Sequence, residues 1–570
     1  MVTKPIEVLW MMINDGLRHR DSLVAKRWEL AERYAAGKNS RFEGKRQDVD
    51  QWKADTNTNL ILADYLQKTA VMMRDIPKLS IDGRESIHAE YAKDVERLIN
   101  QNWLANGFTE IQEESNWYLY WYGKTYLKLI YDGTMNRDLG GMAISAISPK
   151  CMVPQPGKTK HTGGEYLGEL KSVDKMSLCR AYPDRAEEIK KLFTPKGFSN
   201  EWGSGAINAE EGAEGLRTDG TGLTMYYRER NSPPPASLTM VEMWMRDDTT
   251  VEKYGWVAEV SGTQLAYKRR KKNFSVFPTG RMIRFVGNLI LEDKPNPFPQ
   301  FPYVEVANIN DCQEWPAGEA DQLIPLQDLY DLQKNQQVDA VNAAIGGDKV
   351  LYSERAGVDP SQISNDPSER WVPVTNPGET KNIPAPVVSQ AYFVMNDSTR
   401  SDFDRVSGYP EAQAESMDAR SGYAYEVINE EKRGRLKLKT YSWETGVAEL
   451  AKLQTLYIGM FYERGWHYTM ETDLQGVTPD LFNYTVTAGL NLPASRRTTE
   501  QYLLNLFDKA GAIQTPLQAV LFEYIIEQSD LPNKDHLQEA ASQQTKMVMQ
   551  MAMAPPAPGP GANPNLQVVQ

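Results

Sequence analysis

Between residues 398 and 424 the chain reads S-T-R-S-D-F-D-R-V-S-G-Y-P-E-A-Q-A-E-S-M-D-A-R-S-G-Y-A. The spacing predicts a helix that stops at Gly408. There Gly408-Tyr409-Pro410 joins a residue tolerant of left-handed backbone to one without an amide hydrogen. A polar stretch rich in Ala, Glu and Ser follows, and helix resumes near Ser421. The intervening loop holds too few large apolar side chains to bury itself. Two helices joined by an exposed loop are therefore the first constraint on the fold.

The rest of the chain must supply the cores. At 570 residues several can be buried, so roughly two to four domains or lobes are expected. The composition, 41% hydrophobic and 24% charged, reads as soluble and globular. A formal net charge of −13 argues against a surface that grips nucleic acid by neutralising phosphates. It is compatible with a wall past which nucleic acid slides. Cys151, Cys179 and Cys312 are widely spaced and odd in number, which suggests neither a disulfide framework nor a cysteine zinc site. The opening M-V-T-K-P-I-E-V-L-W lacks a signal-peptide pattern, because Glu7 interrupts its short apolar stretch. No run approaches the roughly 18 apolar residues of a membrane span. A reducing cytoplasm, or a particle assembled there, is the expected setting.

Helices are predicted over 60–72, 90–106 and 108–122, with Gly107 as a stop, followed by a strand at 124–131 and its partner at 141–149. Residues 198–237, rich in Gly, Asn, Glu and Thr and ending in three prolines, read as a long surface excursion. Strands are expected at 238–245, 255–260, 264–268 and 281–291. Residues 292–302 carry four prolines and are expected to be irregular. Helix returns over 318–345, where Pro325 fits only near a helix start. The later part of that helix, Q-K-N-Q-Q-V-D-A-V-N-A-A, is slim and polar and suits packing against copies of itself. Short extended segments are expected at 349–352 and 371–375, a long helix over 421–464, strands at 468–471 and 482–487, and helix over 498–553. The last residues form a proline-rich tail expected to be disordered.

Chemistry is sparse in this sequence. Gly123-Lys124-Thr125 echoes the end of a phosphate-binding loop, but Tyr118 stands where that loop needs Gly, and helix precedes strand instead of following it. A strand start is the better reading. Asp402 and Asp404 form D-x-D, yet residues two apart on a helix face different directions, which favours a solvated helix surface over a magnesium site. The five histidines, His19, His88, His161, His467 and His536, form no pair at helical spacing, so no metal site is expected. The basic run Lys268, Arg269, Arg270, Lys271 and Lys272 could contact phosphate, although a solvated loop between strands is the ordinary explanation. Met547, Met549, Met551 and Met553 read as a frayed apolar helix end or a partner-binding patch.

Four places in order resemble the portal proteins of tailed bacteriophages, the head–tail connectors. The first is N-W-Y-L-Y-W-Y-G-K-T-Y-L-K-L-I-Y-D at 116–132, with I-S-A-I-S-P at 144–149. The second is G-R-M-I-R-F-V-G-N-L-I-L-E-D-K-P-N-P-F at 280–298, followed by F-P-Y-V-E-V and W-P-A-G-E-A-D-Q-L-I-P-L-Q-D-L-Y-D-L-Q-K at 315–334. The third is D-F-D-R-V-S-G-Y-P at 402–410 with R-S-G-Y-A at 420–424, and the fourth is L-P-A-S-R-R-T-T-E-Q-Y-L at 492–503. The set spans roughly residues 50–530 in the family's order.

The resemblance implies an α+β portal-type subunit with a mixed α/β wing, a helical stem, a small α/β clip and a helical crown, assembled as a ring of about twelve copies. By carry-over the wing is 1–314 and the first stem helix 315–345. Residues 346–377 hold the clip and a second stem element, whose limits stay open because the region before Ser398 is short and proline-rich. Residues 378–497 hold the tunnel-loop helix, the tunnel loop (408–422), a long helix and wing strands. The crown is 498–553 and the tail 554–570.

Double-stranded DNA would pass the tunnel loop, where Glu411, Glu415 and Asp418 outweigh Arg420. Leu326, Leu329, Tyr330, Val338 and Val341 would pack the stem against neighbours. A dozen such chains would carry on the order of −150 charges, which suits a conduit that must not bind DNA tightly. The family's partners are terminase, head-completion or adaptor and tail proteins, major capsid protein and scaffold. The implied setting is the portal vertex of a virion, with no cofactor, no membrane and no catalysis. The alternatives are another head–neck structural or assembly protein, or a DNA-handling enzyme. The enzyme is disfavoured by the missing phosphate loop.

Overall fold

The computed structural model describes residues 5–38, 53–73, 78–133, 135, 140–192, 237–261, 264–345, 349–352, 376, 378, 380–383, 390–408, 422–461, 474 and 476–487, all in the unit Met1–Ala488. The excursion, the segments 371–375 and 468–471, the 498–553 helix, the methionine run and the tail lie outside the described residues.

The chain opens with α1 (Ile6–Ala35), 30 residues long. Its buried positions Leu9, Ile13, Leu17, Val24, Trp28 and Ala31 recur at helical spacing. Arg20 interrupts that stripe and donates to the carbonyls of Lys150 and Met152 at 2.6 and 3.1 Å, which makes its burial tolerable. Asn59 caps α2 (Leu60–Met72), its Oδ1 accepting from the Leu62 amide at 3.0 Å. Strand β1 (Lys78–Gly83), α3 (Ala89–Ala105) and α4 (Phe108–Tyr122) follow. Gly123 ends α4 with φ of 81°, and a Cβ there would meet the Pro316 carbonyl oxygen at 2.2 Å. The chain turns directly into β2 (Lys124–Asp132), which pairs antiparallel with β3 (Gly141–Ile147). Gly123-Lys124-Thr125 is thus a helix stop and a strand start.

Next come β4 (Met152–Pro154), β5 (Tyr166–Asp174), α5 (Lys175–Ala181), α6 (Ala186–Lys191) and β6 (Ser237–Met245). They are followed by β7 (Thr250–Ser261), β8 (Gln264–Ser275), β9 (Arg281–Val286), β10 (Leu289–Pro295) and β11 (Tyr303–Ala307). Helix α7 (Glu319–Ile345), the strands β12 (Lys349–Tyr352) and β13 (Thr380–Ile383), α8 (Ala391–Ser407), α9 (Gly422–Phe461) and β14 (Phe482–Thr487) complete the described part. The mixture of helix and sheet is that of an α+β protein. Among the described residues no helix is long and apolar enough to cross a membrane.

Two antiparallel sheets form the body. One is ordered β10-β9-β6-β5-β4 and the other β11-β2-β3. Strand alternation gives each sheet two unlike faces. On β6, Val241, Met243 and Met245 join Leu9, Trp10, Ile13 and Leu17 of α1 in one apolar cluster. On β2, Leu127 and Leu129 join Val447, Leu450 and Leu453 of α9 with Ile99 and Trp103 of α3 in another. Strand β1 pairs with β14 across some 400 residues of sequence, Lys78 opposite Thr487, and so fastens the two ends of this unit together.

The remaining faces of β2, β5 and β6 carry an ionic layer. Lys128 is fully buried and reaches both Glu169 and Glu242, the latter at 2.6 Å. Lys171 and Arg284 meet Glu242 at 3.0 and 3.1 Å, Trp244 Nε1 donates to it at 2.9 Å, and the Tyr303 hydroxyl donates to Glu169 at 2.6 Å. Burial by itself would raise the Glu242 carboxyl, but the ammonium groups of Lys128 and Lys171 and the Arg284 guanidinium hold it well below the usual carboxylate range. An aromatic annex lies farther along the same face of β2. His161 is buried against Trp315, ring centroids 4.6 Å apart, and its Nδ1 is hydrogen-bonded with the Tyr126 hydroxyl. Burial, and then the nearby Lys124, push the imidazole well below its ordinary range.

Three sequence expectations are corrected. Residues 281–291 are not one strand but the hairpin β9–β10, closed by Gly287-Asn288 with Val286 opposite Leu289. The proline-rich segment from 292 is regular as far as Pro295, because β10 is the outer strand of its sheet and a proline there leaves no ladder bond unmade. The run Lys268–Lys272 does not sit between strands. It lies inside β8, with Lys268 opposite Val257 and Lys272 opposite Lys253.

Candidate subunit-packing surface

Helix α7 leaves the body by degrees. Its first turns carry Leu323, Ile324 and Tyr330 into a core shared with Trp28, Tyr65 and Trp121. Pro325 stands seventh in the helix, further in than a proline at a helix start, and its ring is exposed. Arg27 clamps the start of the helix through Asp321 at 3.2 Å, and Lys68 through Glu319 at 2.8 Å.

A second attachment is polar. Gln327, Asp331, Asn335 and Asp339 recur every four residues and so lie along one face of α7. They bind alternate residues of the segment that precedes α2. The Leu60 amide donates to Gln327 Oε1 at 3.0 Å and the Thr58 amide to Asp331 Oδ1 at 3.1 Å. The Thr56 amide donates to Asn335 Oδ1 at 2.8 Å, Asn335 Nδ2 donates back to the Thr56 carbonyl at 3.1 Å, and the Ala54 amide reaches Asp339 Oδ1 at 2.7 Å. Four helical residues advance about 6.0 Å and two extended residues about 6.6 Å, so the two repeats stay in step. Asn335 and Asp339, which the sequence assigned to contacts between copies, are occupied inside the chain.

Helix α8 packs beside α7. Thr399 Oγ1 donates to Gln333 Oε1 at 2.9 Å, and Phe403 joins the cluster that contains Tyr330. Between the two helices, β12 and β13 pair antiparallel as a short ribbon, Lys349 opposite Ile383. The partner strand β13 falls beyond residue 377, where the sequence closed the clip. Gly408 ends α8 with φ of 79°, its amide donating to the Asp404 carbonyl at 3.1 Å. In the D-x-D pair Asp402 is exposed whereas Asp404 is buried and paired with Arg400, so only one of the two has the solvated character expected of both.

The apolar residues of this pair divide into two groups. Tyr330 belongs to the chain's own core, and Leu326 is half-buried against it. Leu329, Leu332, Val338 and Val341 are exposed by 37–43%, and none of them belongs to a described apolar cluster. Counting 100° per residue, Val338 and Val341 lie on the side of α7 that, about three to five turns earlier, buries Leu323 and Gln327. No residue of α7 beyond Tyr330 joins a described apolar cluster, and the helix continues. Phe393, Val394 and Met395, in the first turns of α8, are also exposed. These three were not singled out from the sequence, although a consecutive apolar F-V-M run before a polar helix is a readable signal. Glu411, Glu415, Asp418 and Arg420 lie outside the described residues, as do the side chains of Lys268, Arg269, Arg270, Lys271 and Lys272.

A scan against protein-family models finds no match for the chain, and a search of curated proteins finds none either.

Proposed function

We propose that the chain is a portal-type subunit. About twelve copies close into a ring at one capsid vertex, and double-stranded DNA is packaged and ejected through its channel. The observation that carries the reading is the pair α7 and α8. The two helices are joined through a short ribbon and anchored to the α/β body at one end, and large apolar side chains along them are exposed among the described residues. In the order that the sequence resemblance implies, α7 is then the first stem helix, the ribbon belongs to the clip region, α8 is the tunnel-loop helix and the tunnel loop begins at Gly408.

Covering half-exposed Leu, Val, Phe and Met side chains against a neighbour is worth roughly 1 kcal/mol apiece, and a closed ring repeats that gain at every contact. The tunnel loop is net acidic and the ring as a whole strongly negative, so DNA slides without lasting phosphate contacts. Terminase engages the ribbon end during packaging, and adaptor or tail proteins engage it afterwards. The subunit itself hydrolyses nothing.

Negative-stain imaging with mass determination of the purified full-length protein tests the reading. Rings with a central hole and about a dozen subunits are expected. A monomer that hydrolyses ATP or cuts DNA would overturn it.

A further inference from the structure

A cavity of about 430 Å³ opens between α1, α2, α4 and the turn that precedes β4, on the body and apart from the α7–α8 pair. Its size falls within the roughly 300–1,000 Å³ range of small-ligand sites. Its walls are of two kinds. Tyr65, Trp117, Tyr118 and Tyr122 supply aromatic surface, and Glu32, Glu110, Glu113 and Glu114 supply carboxylates.

The inner part of the cavity already displays what such walls hold. Lys150 is ion-paired to Glu32, and its ammonium sits 5.5 Å from the centre of the Tyr122 ring. That is a cation clamped between a carboxylate and a π face. The outer part repeats the same set of groups. Trp117 is held edge-on to Tyr65 with centroids 5.1 Å apart, and Glu113 and Glu110, one and two turns away on α4, pair with no cation among the described residues. Glu110, Glu113 and Glu114 stand at i, i+3 and i+4, a spacing at which like charges repel and destabilise a helix. Glu114 accepts from the Tyr118 hydroxyl at 2.6 Å, which leaves the other two to face a ligand.

We propose that this cavity binds the guanidinium group of an arginine side chain presented by a protein partner. A flat, weakly hydrated guanidinium can lie against Trp117 while its fork meets Glu110 and Glu113. A lysine ammonium, compact and strongly hydrated, satisfies only the charge. Free arginine carries an α-carboxylate that the glutamates repel, so a peptide-borne side chain is the better match.

The test is titration of the full-length protein, by calorimetry and tryptophan fluorescence, with N-acetyl-arginine amide, N-acetyl-lysine amide, N-acetyl-citrulline amide and free L-arginine. Saturable millimolar binding of the arginine amide is expected, with the lysine amide and free L-arginine each about tenfold weaker and no binding of the uncharged citrulline isostere. The doubly substituted chain Glu110→Gln, Glu113→Gln should lose arginine-amide affinity by at least about tenfold. Its melting temperature should be unchanged or raised, since the like-charge contact is gone. Absence of saturable arginine binding, equal binding of citrulline, or an unaltered affinity in the double variant would overturn the site. Free L-arginine binding as tightly as the amide would overturn the side-chain source. None of these outcomes depends on whether the chain forms rings.

Discussion

The ionic layer between the body's sheets and the outer surface of the helix pair represent opposite solutions to burial. In the layer every charge is taken up by the same chain, with Lys128, Lys171 and Arg284 distributed over Glu169, Glu242 and Glu292. On the helix pair the polar side of α7 is consumed internally by residues 54–60, while Leu329, Leu332, Val338 and Val341 are left uncovered. The body pairs the costly charges of its ionic layer internally, whereas the helix pair leaves apolar surface open. That asymmetry is what an assembling subunit requires.

The contrast is broken most severely at Lys128. Lys128→Ala takes from two buried carboxylates the one fully buried cation between them, and a loss of about 3–5 kcal/mol is expected in chemical denaturation of the chain. Lys128→Met with Glu169→Gln should recover most of that loss, because Glu242 keeps Lys171 and Arg284 and the penalty comes from unpaired charge more than from missing attraction. If the single variant unfolds with unchanged midpoint, the layer contributes nothing and the comparison fails on its first side.

The polar attachment of α7 is the next test. Asn335→Ala removes both bonds to the Thr56 backbone and the acceptor for its hydroxyl, and leaves part-buried peptide groups unpaired. A loss of roughly 2 kcal/mol is expected. Faster amide exchange should accompany it at Thr56, with smaller increases at Thr58 and Leu60. Exchange confined to Thr56 would mean that the four-residue repeat does not act as one attachment.

How much of this was legible in the sequence depends on the distance over which each signal acts. The α4–Gly123–β2–β3 run could be read because its signals are local: dense aromatics, one glycine, then alternation. The bounds of α2, α7 and β14 were equally local. Helix α1 escaped notice because Arg20 sits inside its buried stripe, and only the carbonyls of Lys150 and Met152, some 130 residues away, make that acceptable. The hairpin β9–β10 was read as one strand because apolar residues flank Gly287-Asn288 on both sides and mask the turn. The basic run in β8 was read as loop because charge outweighed its place in the ladder. Of the candidate packing surface, Leu329, Val338 and Val341 were visible as apolar residues on a slim helix. Their exposure, and the loss of Tyr330 to the core, depend on where the body ends. The attachment of residues 54–60 to α7 joins positions nearly 300 apart and leaves no local trace.

A milder perturbation uses pH. His161 is buried and neutral, whereas in the unfolded chain it takes up a proton as pH falls through 6.5, its ordinary value. The folded state then binds fewer protons, so stability should decline below that pH with a slope of up to about 1.4 kcal/mol per unit. His161→Gln should flatten this slope. The sign for Glu242 differs only in its window. Its carboxyl is depressed in the folded chain, so its contribution is complete above 4.5 and is lost as pH falls below that value. A decline beginning near 6.5 therefore reports the aromatic annex, and one confined below 4.5 reports the ionic layer.

The smallest effect on the single chain carries the most weight. Leu332 and Val341 are exposed by 42% and 40%, and neither belongs to a buried cluster among the described residues. Leu332→Ser with Val341→Ser should therefore change the unfolding free energy of the monomer by no more than about 0.5 kcal/mol per site, as expected for surface positions. The same pair should abolish the ring or shift its assembly to much higher concentration, because in a closed ring each substituted residue is lost from every contact. Sedimentation read beside denaturation separates the two. An unchanged monomer that no longer assembles places the uncovered side chains in the subunit contact. A variant that assembles as before would show that the helix pair is not what the neighbour covers, and would break the comparison on its second side.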